Sequence, residues 1–335
     1  MRDAIGREIN YLRVSLTDRC NLRCRYCMPP EGVVPKAHRD ILSYEELLRV
    51  LRVAARAGIT RIRLTGGEPL VRKEVVAFVG ELRRALPGLT DLAMTTNAVR
   101  LAPVAQELKR QGLDRVNISL DTLRPERFAA ITGRAELPAV LRGIDAALAA
   151  GLHPVKLNVV AIRGFNDDEF ADLARLTLDR PLHVRFIELM PLGPAGEGGK
   201  GQPFGLGQAG GFISGAAVRN IIARELGPLA PAGSPGGSGP AKYYRAAGAQ
   251  GTLGFITPLS EHFCGACNRL RLSADGQLEP CLAATVQFDL RGPLRAGAGD
   301  EELLAVFAAA VAAKPRRHHM EEADERWRQM SRIGG

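Results

Sequence analysis

The sequence predicts an α/β protein: a partial (β/α) barrel of the TIM type, followed by a C-terminal extension. Three observations predict it. Short β-patterned runs alternate with helical patterns from Tyr11 to Leu189, which is the signature of successive βα units in a parallel sheet. Polar or glycine-rich residues gather toward the carboxyl end of nearly every strand, at Gly66-Gly67, Thr95-Thr96-Asn97, Ser119-Leu120-Asp121, Asn158 and Glu188-Leu189-Met190. In a barrel those ends converge on one mouth, where active sites lie. Finally, all six cysteines fall in two triplets, 20/24/27 and 264/267/281, so the fold has two small sites to house.

The first strand runs from Tyr11 to Leu16, with Leu12, Val14 and Leu16 on one face and Arg13 and Ser15 on the other. It delivers the chain to the first cysteine loop. Ser43 with Glu46 three residues on makes a capping box, and Leu47, Leu51, Ala54 and Ala55 give the following helix its apolar face, ending near Gly58. Arg61 to Leu64 is a strand that enters Thr65-Gly66-Gly67-Glu68-Pro69. The pattern then predicts helix 72–86, strand 91–95, helix 101–111, strand 115–120, helix 136–150, strand 154–161, helix 167–178 and strand 182–189. Two stretches rich in glycine, serine and proline, 193–211 and 231–240, read as mobile loops on either side of a helix over 214–225. Beyond them the second triplet occupies a region with a hairpin signal at Asp275-Gly276, and a helix spans 301–313. This predicts a barrel over residues 1–225 and a C-terminal region over 226–335.

Net charge is +9, from 45 basic against 36 acidic residues, and the bases are nearly all arginine. That balance suits a polyanionic small molecule as well as nucleic acid, but aromatics at 5% leave little for base stacking. No apolar run approaches the roughly 20 residues that span a bilayer. The residues from Met1 to Arg7 also lack an apolar signal core, so a cytoplasmic protein with no membrane partner is expected. Two cysteine triplets are unlike a disulfide framework and fit metal binding in a reducing compartment.

Cys20-x3-Cys24-x2-Cys27 supplies three thiolates from one loop. A four-iron four-sulfur cluster normally takes four, so three leave one iron open to a small molecule. A closed zinc site needs a fourth ligand, yet the first downstream histidine is His38, beyond Pro29, Pro30 and Pro35. A two-cysteine redox pair leaves the third cysteine unexplained. The same arithmetic holds for Cys264, Cys267 and Cys281, with His262 as a possible fourth ligand if zinc is the occupant.

With Cys20, Cys24 and Cys27 after a strand and Gly66-Gly67-Glu68-Pro69 further on, the sequence resembles the radical S-adenosylmethionine (SAM) superfamily. A closer resemblance, to the GTP 3′,8-cyclase family, runs from Leu12 to the terminal glycines. It rests on Leu12–Cys20, Arg63–Arg72, Thr95-Thr96-Asn97, Val116–Asp121, Lys156–Val160, Phe186–Met190 and the second triplet. Two departures are Ala98, where that family often has glycine, and the stretch 193–211.

The resemblance implies two 4Fe-4S clusters, one on each triplet, with SAM on the first and GTP on the second. Tyr26, Gly67, Ser119 and Met190 would contact SAM, and Arg13, Arg63, Thr95, Lys156, Arg269 and Arg271 would contact GTP. A 5′-deoxyadenosyl radical would take the C3′ hydrogen of GTP, the carbon radical would attack C8, and reduction would close the product. Arg269, Arg271 and the terminal Gly334-Gly335 would assist catalysis. The family also implies an electron donor and a homodimer. The barrel mouth is expected to lie between the triplets. A radical SAM peptide-modifying enzyme with auxiliary clusters is the alternative, although such enzymes generally carry more C-terminal cysteines.

Overall fold

The computed structural model describes residues 1–28, 32, 34–191, 211–318 and 320. Proposals for Gly334, Gly335 and most of the stretch 193–211 therefore lie outside the described residues. The elements are β1 (Tyr11–Ser15), α1 (Tyr44–Arg56), β2 (Arg61–Thr65), α2 (Val75–Ala85), β3 (Asp91–Thr96), α3 (Ala105–Arg110), β4 (Arg115–Ser119), α4 (Pro125–Thr132), α5 (Leu137–Ala149), β5 (Val155–Ala161), α6 (Phe170–Arg175) and β6 (Leu182–Glu188). They continue with α7 (Gly215–Leu226), β7 (Ala230–Ala232), β8 (Lys242–Arg245), β9 (Thr252–Ile256), β10 (Arg269–Leu272), β11 (Gln277–Glu279), β12 (Phe288–Asp289), α8 (Arg291–Arg295) and α9 (Asp300–Ala312).

All twelve strands form one sheet in the order β12-β11-β10-β1-β2-β3-β4-β5-β6-β9-β8-β7. The eight from β10 to β9 are parallel, and an antiparallel hairpin flanks each side. The sheet is open at β12 and β7, which makes the barrel partial.

Strand alternation separates two faces. Leu12, Val14, Ile62, Leu64, Leu92, Met94, Val116, Ile118, Leu157, Val184 and Phe186 are buried in the main apolar core, the side that the covering helices occupy in a βα fold. The alternate residues, Arg13, Arg63, Thr95, Ser119, Asn158 and Arg185, all line one cavity on the concave side. An apolar barrel would fill that space with aliphatic layers. Here charged and polar residues occupy it, so the interior is a site.

The six predicted parallel strands form as read, and the capping box is present: Ser43 Oγ accepts from Glu46 N at 3.1 Å while Glu46 accepts from Ser43 N at 2.7 Å. Helices over 72–86, 101–111 and 167–178 are shorter than predicted, at Val75–Ala85, Ala105–Arg110 and Phe170–Arg175. Helix α4 went unread, although Pro125 stands in its first turn and Gly133 ends it in the left-handed conformation. The two closing parallel strands β9 and β10 were also unread. Each finds its parallel partner far along the chain, β9 on β6 and β10 on β1, so neither completes a local βα unit.

Two expectations are corrected. The stretch 231–240 is not simply a loop: Ala230–Ala232 pairs with β8, and Lys156 Nζ donates to the Gly236 carbonyl. A Cβ on Gly237 (φ +73°) would stand 2.5 Å from Arg115 Nη2. That glycine permits close approach to a buried side chain. The second correction concerns the triplets. Cys264 and Cys267 precede β10, whose Arg269 pairs with Tyr11 at the start of β1. Cys281 follows β11, which runs antiparallel to β10 and returns to the same end. The second triplet thus sits at the amino ends of the strands and the first beyond the carboxyl end of β1, so the barrel interior, not its mouth, separates them.

Candidate functional site

One cavity of about 300 Å³ is lined by all six cysteines. Around the first triplet, Cys27 N and Met28 N both donate to the Cys24 carbonyl, at 2.9 and 3.1 Å. Leu22 N and Asn97 Nδ2 point at Cys20 Sγ, at 3.4 and 3.8 Å. Burial raises the pKa of all three thiols, and for Cys24 and Cys27 the neighbouring cysteines and Asp121 raise it further. Three partly buried sulfurs from one loop want a cationic centre to ionise against.

The loop is held by close backbone packing. Gly67 N donates to Thr17 O at 2.7 Å and Glu68 N to Arg19 O at 2.8 Å. A Cβ on Gly67 would lie 2.3 Å from Arg19 O, and one on Gly66 2.5 Å from Thr17 O. Both glycines border the cavity, but their missing side chains make room first for the cysteine loop. Glu68 is fully buried and accepts from Leu70 N at 2.9 Å, Thr96 Oγ1 at 2.8 Å and Asn97 N at 2.6 Å. Burial still pushes it up to about 7. Thr96 and Asn97 therefore hold the Gly66–Glu68 turn as well as their own, Thr96 Oγ1 accepting from Ala98 N at 3.0 Å and Asn97 Oδ1 from Val99 N at 3.1 Å, and Asn97 Nδ2 reaches Asn21 Oδ1 at 2.8 Å.

Asp121 accepts from Tyr26 OH at 2.7 Å and Val160 N at 2.8 Å, and burial pushes it up to about 6. Tyr26, Gly67, Ser119 and Met190 all line this end of the cavity. The four residues that the resemblance implies for SAM thus share one cavity wall; the bond by which Asp121 fixes the Tyr26 ring was not read from the sequence.

The middle and far end are cationic. Arg13, Arg63, Arg185, Arg269, Arg271 and Lys314 line the cavity with Thr95. Arg63 is buried, its guanidinium 5.4 Å from the centre of the Tyr11 ring, and its Nε and Nη2 have no hydrogen-bond partner among the described residues. Thr65 Oγ1 and Thr95 Oγ1 are likewise unpartnered. Burial pulls Arg63 and Arg271 down to about 10, with neighbouring arginines adding to the shift. Such a cluster is costly without an anion. Lys156 is different: it is not in the cavity wall, and burial with Arg185, Arg115 and Arg63 beside it pulls its amine down to about 6. Arg115 lies beneath as well, held by Asp91 through Nε at 2.8 Å and Nη2 at 2.6 Å.

Arg185, Arg115 and Lys314 were missed in the sequence. Arg185 interrupts the apolar pattern of β6, which was an available signal, whereas Arg115 opens β4 after Asp114 and Lys314 stands past the end of α9 before Pro315-Arg316-Arg317, where a charge is ordinary.

At the second triplet, burial opposes ionisation of Cys267, yet Arg269 and Lys314 bring it down to about 6. The Arg269 guanidinium stands 5.3 Å from the centre of the Phe263 ring. Among the described residues, the one group of three candidate ligand atoms within 4.8 Å is His262, Cys264 and His318. Neither triplet is drawn together on the scale of a single tetrahedral zinc. Spread, partly buried thiols bordering a cavity, with N–H groups directed at Cys20, fit iron-sulfur clusters.

Comparison with known proteins agrees. Residues 14–177 match the radical SAM superfamily, and residues 182–320 match the family described as molybdenum cofactor synthesis C. Proteins named GTP 3′,8-cyclase from Moorella thermoacetica and Pelotomaculum thermopropionicum are each 54% identical over 335 residues, covering 100% of both chains. The one from Heliobacterium modesticaldum is 54% identical over 339 residues with the same coverage. Among solved structures, Streptococcus suis SuiB bound to S-adenosylmethionine aligns with a TM-score of 0.55 at 15% identity, over 88% of this chain and 66% of that one. That likeness is one of fold.

Proposed function

The chain belongs to the GTP 3′,8-cyclase family of radical SAM proteins, and from that premise we propose how its residues cyclise GTP to (8S)-3′,8-cyclo-7,8-dihydroguanosine 5′-triphosphate, an early step of molybdenum cofactor biosynthesis. The observation that carries the reading is the single cavity bordered by both triplets, with buried, partly unpartnered cations between them.

Cys20, Cys24 and Cys27 would hold one 4Fe-4S cluster, and Cys264, Cys267 and Cys281 the other. When bound, the first cluster with SAM would supply radical chemistry, and the second would help to hold the guanine. Tyr26, Gly67, Ser119 and Met190 seat SAM at the carboxyl end of the strands. Arg13, Arg63, Thr95, Arg269 and Arg271 take the nucleotide, with arginine forks matching phosphate oxygens. Lys156, behind the cavity wall, would join them only with its hydrogen bond to the Gly236 carbonyl broken. Arg269 and Arg271 also stabilise charge as the cyclised adduct is reduced. The cavity fixes the spacing of the two ligands. Residues 1–225 carry the radical-generating site and part of the nucleotide site, and 226–335 carry the second triplet with the rest of the nucleotide site.

The terminal Gly334-Gly335 assists within the active site. Deleting both should abolish most turnover while iron content is kept, as checked by product assay and iron analysis. The reading extends to a cytoplasmic homodimer served by a separate electron donor. No helix among the described residues is long and apolar enough to cross a membrane.

Anaerobic reconstitution followed by GTP, SAM and a reductant tests the whole. 5′-Deoxyadenosine should form together with the cyclised nucleotide, and SAM cleavage that never modifies GTP would sink the proposal.

A further inference from the structure

Three chain segments are fastened at the second triplet by two buried cations. Lys314, just beyond α9, is buried, and its Nζ donates to Arg269 O at 2.7 Å and to Pro280 O at 2.7 Å. The first carbonyl lies two residues after Cys267, and the second belongs to the residue before Cys281. One ammonium therefore ties the two halves of the triplet together across the β10–β11 hairpin.

Arg7 completes the brace from the other side. Its side chain is paired with buried Asp3, its Nη1 donates to Cys264 O at 2.7 Å, and its Nη2 donates to Pro315 O at 2.8 Å. The lysine is thus anchored to the segment that carries Cys264. Lys314 also borders the cavity that the thiols face, and it interacts electrostatically with both Cys267 and Cys281.

We infer that Lys314 is a positioning residue for the second cluster, one that both holds the cysteine segments in register and sets the cluster's reduction potential by its buried charge. This rests on the reading that Cys264, Cys267 and Cys281 carry a cluster. A three-thiolate cluster is anionic, and a fixed cation held against it in a low-dielectric setting favours the reduced form. A lysine serving only to tie carbonyls would be replaceable by a neutral donor.

The test uses Lys314→Gln, Lys314→Met and Lys314→Arg in the full chain. It also uses the same substitutions in a chain carrying Cys20→Ala, Cys24→Ala and Cys27→Ala, where only the second cluster remains. The unsubstituted chain should hold about eight irons; a wild-type chain lacking the second four would overturn the underlying reading and this inference with it. With that cluster present, Lys314→Gln should retain iron yet shift the reduction equilibrium at least tenfold toward the oxidised form, about 59 mV for one electron. Lys314→Arg should restore most of that shift. Lys314→Met should lower second-cluster iron while reductive SAM cleavage at the first cluster persists. An unchanged potential and iron content in Lys314→Gln and Lys314→Met, or equal loss from both clusters, would overturn the inference and leave the cluster assignment standing.

Discussion

At the scale of single residues, the cavity concentrates groups whose protonation is set by burial. Glu68 is the clearest case. Its pKa rises from an ordinary 4.5 to about 7 in the folded chain, so its contribution to stability is full below about 4.5 and is lost as pH rises through 7. Glu68→Gln removes that dependence. Thermal melts of the two chains should show the variant's deficit largest near pH 5 and narrowing toward pH 8. Arg63 makes the opposite argument: a buried guanidinium with two N–H groups unpartnered is arranged for an anion. Arg63→Met should weaken GTP binding roughly 10- to 100-fold, as befits lost charge-assisted hydrogen bonds. SAM cleavage by the first cluster should be spared, and a nucleotide titration checks the split. Among the sequence-derived candidates, Arg13, Arg63, Thr95, Arg269 and Arg271 were named through the family resemblance; strand alternation by itself marks Arg13 and Arg63, set between Leu12 and Val14 and between Ile62 and Leu64. Asp121 was visible as a strand-end residue, but its bond to Tyr26 depends on a contact 95 positions away that no local pattern encodes.

At the scale of elements, the capping box at α1 does more than start a helix. Glu46 accepts from Ser43 N and also receives Arg295 at 2.7 and 3.0 Å, which joins α1 to α8. Ser43→Ala should cost about 1 kcal/mol, as for an ordinary lost cap. Glu46→Ala should cost more, because the bond from Arg295 is lost with it; chemical denaturation of both variants decides. The sequence showed the box and not the tether, since Arg295 lies far along the chain. The same limit explains the strands. From β1 to β6 each strand is followed by its own covering helix and announces itself by periodicity. In contrast, β9 and β10 are short, follow irregular chain, and are strands because β6 and β1 offer them free edges.

At the scale of the whole molecule, the ends of the sheet are chemically separate. Cys264→Ala, Cys267→Ala and Cys281→Ala together should leave about four irons and reductive cleavage of SAM while abolishing cyclised product. Iron analysis with product assay reads both. The two sites were legible as cysteine spacings, but their placement was not. It follows from β10 lying parallel to β1, which only the assembled sheet reveals.

That pairing also has a bearing on synthesis. Tyr11 reaches its final neighbour on one side only when Arg269 has been made, roughly 10 to 50 s later at ordinary translation rates. Until then the nascent sheet carries an uncovered edge at its first strand, the kind that invites pairing with another chain. Gly67 and Asn97, the contacts of the first cysteine loop, have by then long emerged. One half of the protein is thus ready for iron while the other is still being translated.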